Sequence, residues 1–273
     1  MKSKGVHSIS LLTVLTPFNQ HKFLQRKPVV GKKVAILQSN YIPWKGYFDL
    51  VNSVDEFIIY DEMQYTKNDW RNRNKIKTAQ GVQWLTIPVK QGSLSQTISE
   101  TKTASDNWSL KHAKTLALAY GRSRHFREFW PQFESLYLAG REHFLSRLNF
   151  EFMCAVNGIL GIDTQITWSS DYRLVGDRSE RLVNLCKQAG ADEYITGPSA
   201  LDYMQPESFR RSGINVKVAD YSGYPEYIQL YPPFEHGVSI LDLIFNEGLN
   251  ARRYMKTFPI SLCQEPFLRD ASQ

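Results

Sequence analysis

The sequence predicts an α/β fold: a mainly parallel, Rossmann-like open sheet carrying an inserted helical lobe. Three observations point there. Short apolar runs that read as buried strands alternate with segments of helical rhythm. Residues 34–60 fit a strand, a loop, a helix and a second strand into one tight βαβ unit, the signature of parallel pairing. Residues 108–161 are rich in Leu, Phe, Ala, Glu and Arg and contain no strand-like run, as expected for helices packed beside the sheet.

The elements follow in order. Val34–Gln38 (VAILQ) is a buried strand, and Ser39–Lys45 a loop containing a proline. Gly46–Val54 has apolar residues at 47, 48, 50, 51 and 54, a helical spacing, and Phe57–Tyr60 (FIIY) is the next strand. Trp84–Val89 (WLTIPV) is another strand, followed by a polar stretch to about Thr103. The helical lobe, about residues 105–161, divides into three or four helices with breaks at Gly121, Pro131 and Gly140. Thr164–Trp168 resumes the strands. Asp177–Ala189 is a helix, with Asp177 as N-cap and Glu180 three residues on in a capping-box spacing. Glu193–Thr196 and Val216–Ala219 are strands, and Ser239–Phe245 is a helix ended by Gly248. The expected organisation is a poorly ordered basic leader at 1–32, an α/β domain at 33–250 and a C-terminal tail at 251–273.

Charge and composition narrow the function. The chain has 273 residues, of which 42% are hydrophobic, ordinary for a folded protein. Its net charge of +6 invites a nucleic-acid reading, but the charge is unevenly spread. Residues 1–33 hold seven Lys and Arg and no acid, which leaves 26 basic against 27 acidic residues in the rest. The basic character belongs to the leader and not to a binding face, so nucleic acid is not an expected partner. No apolar run is long enough to span a bilayer. The leader is only weakly like a signal peptide, because its apolar part, Ile9–Val14, is short and no small-x-small cleavage site follows clearly. Cys154, Cys186 and Cys263 are too few and too scattered for a disulfide framework, which fits a reducing cytoplasm.

In an open parallel sheet, ligands bind at the carboxyl ends of the strands, so the residues after each strand carry the information. After the first come Gln38, Ser39, Asn40, Tyr41, Ile42, Pro43 and Trp44. Gln38 and Asn40 offer a donor and an acceptor each for a base or sugar. Tyr41 and Trp44 offer flat faces, either for stacking or for the core. Gly46 allows close backbone approach at a helix start. After the second strand lies the densest cluster, from Asp61 through Gln64, Tyr65, Lys67, Trp70, Arg71, Asn72 and Arg73 to Lys75. If this segment is extended, Arg71 and Arg73 share one face and can clamp a phosphate or carboxylate. The alternative is that they pair with structural acids such as Asp61 or Glu62. A later strand is followed by Thr196, Gly197, Pro198, Ser199, Ala200, Leu201, Asp202 and Tyr203. This turn either cradles an anion with Thr196, Gly197, Ser199 and Tyr203, or merely caps a short helix.

Familiar catalytic constellations are missing. There is no GxxxxGK[ST], GxGxxG or GxSxG, and the six histidines form no HxH or HExxH, so no metal is expected and no cofactor is indicated. His112 is either a general base or a structural helix residue. With Asp61 and Asp202 it completes the catalytic candidates.

Four blocks, QSNYIPWKGYF, IIYDEMQYTKNDWRNRNKI, YITGPSALDY and VSILDLIFNEG, resemble the WbqC-like family over roughly residues 33–250. Ser39 stands where a proline is expected. The resemblance implies a cytoplasmic role in making or decorating an activated sugar for O-antigen or another surface polysaccharide, and it supplies no list of catalytic residues. The opening strand-turn-helix-strand is also similar to nucleotidyltransferase-type α/β domains. Those carry a His-x-x-His or His-x-Gly-His turn, whereas the slot here reads Asn40-Tyr41-Ile42-Pro43-Trp44, with no histidine. Three functions follow in order. The first is a transferase acting on a nucleotide-linked, anionic amino sugar, adding an acyl or aminoacyl group. The second is a non-catalytic nucleotide-sugar binding or assembly module. A nucleic-acid binder comes last.

Overall fold

The computed structural model describes residues 31–90, 92–139 and 142–258. The expected leader, apart from its last two residues, and the end of the expected tail lie outside that range. The sheet is built around β1 (Lys33–Leu37), whose side chains alternate between two buried faces. Parallel partners flank it on both sides: β2 (Glu56–Ile59) and β5 (Gln165–Trp168) on one, β6 (Glu193–Thr196) and β7 (Asn215–Val218) on the other. The order is β5-β2-β1-β6-β7, so the expected open parallel sheet is present. The chain first winds outward from β1 to β2 and β5, then returns to add β6 and β7 on the other side. The reversal falls between β1 and β6, the position where open sheets leave a crevice.

Both faces of the sheet are covered, which explains why its strands read as apolar runs. Ala35, Phe57, Ile59 and Ile195 pack into the larger core. That core includes α1 (Lys45–Asn52), α2 (Asn107–Tyr120), α3 (Phe126–Ala139), α4 (Leu145–Leu160) and α7 (Ile240–Glu247). Val34, Ile36, Ile58 and Tyr194 face the second core with α5 (Arg178–Gln188) and α6 (Pro206–Arg211). Each buried Val or Ile stabilises the sheet by roughly 1.5–3 kcal/mol. The expected capping box is formed: the Asp177 carboxylate accepts from the Ser179 and Glu180 N–H groups, and Glu180 accepts from the Asp177 N–H.

Several expectations need correction. Pro131 does not break the lobe. It sits inside α3, where burial of Phe126, Phe129, Trp130 and Phe133 holds the helix despite the missing hydrogen bond. The strand expected at Trp84–Val89 is β4 (Gly81–Thr86), and it belongs to a separate antiparallel hairpin with β3 (Arg73–Thr78). Lys32 belongs to the body, since its ammonium pairs with Glu56 at 2.7 Å. The segment after residue 250 is anchored as well: Asp49 accepts from the backbone of Lys256 at 2.8 Å and of Thr257 at 3.0 Å.

Candidate functional site

The crevice at the carboxyl end of β1 is organised by a buried carboxylate. Asp61, immediately beyond β2, accepts from the Ser39 N–H at 2.8 Å and from the Ser146 hydroxyl of α4. Asn149, one turn further along α4, donates to the Ser39 hydroxyl at 3.0 Å and to the Arg71 carbonyl at 2.9 Å. One helix thereby fixes both the loop after β1 and the segment entering the hairpin. Burial raises the Asp61 carboxyl above its ordinary value, against the pull of the Ser146 and Ser39 hydrogen bonds and the Arg71 charge.

The loop after β1 is held in a strained form. Ile42 has φ +39°, a conformation that β-branched residues rarely adopt. Asn74 donates to the carbonyls of both Tyr41 and Ile42 at 3.0 Å, and the Tyr41 N–H donates to the Trp70 carbonyl at 3.0 Å. Strain of this kind persists where surrounding contacts over-determine it. Its effect is to present Asn40, Pro43 and Trp44 along one wall of a cavity of about 310 Å³, with Trp70, Asn74 and Gly237 completing the lining. The Arg71 guanidinium donates to the Asn40 side-chain oxygen and lies 3.6 Å from Asp69.

The structure brings Gln38, Asn40, Trp44, Asp61, Trp70 and Arg71 to this edge. Gly197, at the end of β6, approaches it through Tyr221: a Cβ on Gly197 would stand 3.6 Å from the Tyr221 hydroxyl, and the Tyr221 ring packs edge-on at 5.3 Å from Trp44. Tyr47 donates to the Gln38 carbonyl at 3.2 Å. Burial raises its hydroxyl, Asp61 and Tyr221 push it further, and Arg71 opposes.

Other candidates lie elsewhere. Tyr41 is fully buried in the core, its hydroxyl 2.6 Å from that of Tyr137 and 2.9 Å from His112 Nδ1. His112 is itself buried, and desolvation lowers its pKa to about 4, so it is a neutral packing residue away from the crevice. Asn72 is turned inward and donates to the Ile87 carbonyl at 2.8 Å. Thr196 is buried and accepts from the Tyr194 hydroxyl at 3.2 Å. These four side chains are committed to the interior. Arg73 does not join Arg71 in a fork; it lies over the Trp84 ring at 4.2 Å. Gln64 bonds to the Leu94 carbonyl, Tyr65 packs half-buried on the larger core, and Lys67 is exposed. Ser199, Asp202 and Tyr203 are exposed on the turn after β6, on the other side of the β1 carboxyl end; Tyr203 lines a small pocket there with Gln38, and Arg178 stacks over it at 3.7 Å. Gly46 does not admit a phosphate, because the Trp44 indole occupies the space in front of it.

Sequence reasoning missed Ser146, Asn149, Tyr221, Tyr224 and Lys45. Lys45 is buried, donates to the Pro225 carbonyl at 2.9 Å, and lies 5.0 Å from the Tyr224 ring centre. Burial lowers its pKa to about 8, with Asp49 and Glu226 opposing. Tyr221 and Tyr224 follow β7, so the rule that selected the other loops would have selected them. Ser146 and Asn149 carry no local signal.

Comparison with known proteins agrees with the four blocks. No solved structure matches the chain. The chain is 50% identical over 226 residues to "Uncharacterized protein Rv1507c" of Mycobacterium tuberculosis (strain ATCC 25618 / H37Rv), covering 82% of this chain and 98% of that protein. The WbqC-like protein family matches residues 38–254, most of the length. The chain belongs to the WbqC-like protein family.

Proposed function

We propose that this protein is a cytoplasmic transferase acting on a nucleotide-linked amino sugar used for O-antigen or another surface polysaccharide, by acyl or aminoacyl transfer. The observation that carries the reading is the cavity between the loop after β1 and the segment entering the hairpin. Its volume is about 310 Å³, and Asn40, Trp44, Trp70 and Asn74 are among the residues that line it. Ligand sites of this kind combine apolar walls with a few fixed polar groups. In this reading Trp44 offers a flat face to a ring, the Asn40 amide reads its polar edge, and Arg71 beside Asn40 carries the charge of a phosphate.

A thermal-shift panel of nucleotides, nucleotide-sugars and acyl donors tests it, because a ligand that binds the folded state raises the melting temperature. A nucleotide-linked amino sugar should give the largest shift, and Asn40→Ala and Trp44→Ala should abolish it. Equal or larger shifts with ligands lacking a nucleotide would sink the reading.

A second reading, a binding module without turnover, is favoured by the commitments of two catalytic candidates. Asp61 holds structural donors on both oxygens, and His112 lies in the core. Asp202 is the exposed carboxylate among the candidates. Mass spectrometry of the bound sugar after incubation with acyl donors separates the two: a mass gain means transfer, and binding without gain means a module.

A further inference from the structure

The outer face of the β3–β4 hairpin carries features that the crevice does not use. The register places Arg73 opposite Thr86 and Lys75 opposite Trp84, so these four side chains share one face, while Asn74, Ile76 and Leu85 point into the protein. Trp84 is 39% exposed, and Trp70, tilted against it with ring centres 5.3 Å apart, is 41% exposed. Two half-exposed tryptophans in contact are a costly surface to leave in water, and such patches mark binding sites.

The cations here are uncommitted. Arg73 lies over the Trp84 ring at 4.2 Å and the Lys75 ammonium at 5.4 Å. Among the described residues, neither has a carboxylate within ion-pair distance. The side-chain hydrogen bond of Arg73 is a long one, 3.5 Å to Asn68, and its Nε makes none. The neighbouring acid, Asp69, is already taken by the Thr66 hydroxyl at 2.7 Å, the Trp70 N–H at 2.7 Å and Arg71 at 3.6 Å. Stacking on Trp84 therefore holds a guanidinium in place with donors to spare, beside a tryptophan that also lines the crevice.

We propose that Trp70, Trp84, Arg73 and Lys75 form a second subsite, at the mouth of the crevice, for a carboxylated sugar ring. The ring lies against Trp70, Trp84 supports Trp70 and Arg73 from behind, and Arg73 and Lys75 hold the carboxylate. The face offers donors from Arg73, Lys75 and Thr86. No side-chain amide stands among Arg73, Lys75, Trp84 and Thr86 to pair a donor with an acceptor on a base edge. A carboxylate supplies acceptors that match these donors, and the planar guanidinium fork can hold it with two parallel hydrogen bonds. The proposal shares only Trp70 with the crevice reading, and its test uses no nucleotide.

Calorimetric titration of the full chain with trigalacturonate, maltotriose and UMP tests it. Trigalacturonate should bind at least roughly tenfold more tightly than neutral maltotriose, the scale of one charge-assisted hydrogen bond. Arg73→Ala and Lys75→Ala should each weaken it by about tenfold or more. Arg73→Lys should also weaken it, because lysine keeps the charge and loses the fork. Lys111→Ala, at an exposed position on α2, should leave it unchanged. If Trp84→Ala lowers the melting temperature, Arg73→Lys and Lys75→Ala carry the test, because both keep Trp84 in place. Absence of trigalacturonate binding, equal binding of maltotriose, indifference to the Arg73 and Lys75 variants, or displacement of trigalacturonate by UMP would each overturn the proposal. The last outcome would make the ledge part of a nucleotide site.

Discussion

The two sides of the β1 carboxyl end are built differently. On the β2 side, Asp61, Ser39, Ser146, Asn149, Asn72 and Asn74 are all buried, and most of their hydrogen bonds run to other segments of chain. On the β6 side, Pro198, Ser199, Leu201, Asp202 and Tyr203 are exposed on a single short turn. A polar group inside the protein must find a partner, so each buried amide or carboxylate fixes the loop that provides one. The β2 side is thus a wall fixed by buried hydrogen bonds, while the β6 turn carries most of its side chains in solvent. The shape of this wall comes from buried residues behind it.

The largest effect expected from this contrast is at Asp61. Asp61→Ala orphans the Ser39 N–H and the Ser146 hydroxyl, and should cost roughly 4 kcal/mol of stability in urea unfolding. A loss below about 1 kcal/mol would mean that the wall is not held this way.

Next comes a pH effect with a worked sign. His112 has its pKa lowered to about 4 from 6.5. As pH falls through 6.5 the unfolded chain gains a proton that the folded chain refuses, so stability drops until about 4. That loss is on the order of 3 kcal/mol, and His112→Gln should remove it. Asp61 has the opposite sign: its raised pKa contributes stability below the ordinary 3.8, and this is lost as pH rises through the folded value. Melting temperatures of the parent and both variants across this range check the signs; a His112→Gln profile parallel to the parent would contradict the assignment.

A smaller stability effect, with a large effect on binding, is expected at Arg71. Arg71→Ala should weaken the best nucleotide-sugar by about 10- to 150-fold, while the lost Asn40 and Asp69 contacts cost only about 1 kcal/mol of stability. Unchanged affinity with a large stability loss would assign Arg71 to the wall and not to the ligand. The smallest effect belongs to Ser199 on the exposed turn after β6. Ser199→Ala should change stability by less than about 0.5 kcal/mol, because the side chain is exposed and caps nothing.

Much of this fold was legible in the sequence. Val34–Gln38 and Glu193–Thr196 read as strands because both faces of the sheet are covered, and Asp177 with Glu180 announced the start of α5. The hairpin was less legible. Arg73–Thr78 (RNKIKT) holds one apolar residue, Ile76: Asn74 and Thr78 share its inward face, Arg73 and Lys75 face outward, and Lys77 is buried with its ammonium on the Pro233 carbonyl. The alternation of arginine and asparagine was visible, but its meaning was only half readable: the asparagines serve the backbone, and the two arginines part company at Trp84. Tyr41 and Trp44 looked equivalent in sequence, yet the φ of Ile42 and the Asn74 clamp send one to the core and the other to the cavity. Ser146 and Asn149 act across more than 75 residues of chain, and no local pattern encodes that distance.

Hydrogen-exchange mass spectrometry with and without the nucleotide-sugar that gives the largest thermal shift tests the central claim most directly. Protection should appear at residues 38–44 and 69–74, where the wall is already rigid, and more strongly at 196–203, where the turn is ordered by the ligand. Protection confined to other parts of the molecule, with residues 38–44 and 69–74 unchanged, would contradict the assignment of the site to the carboxyl edge of β1.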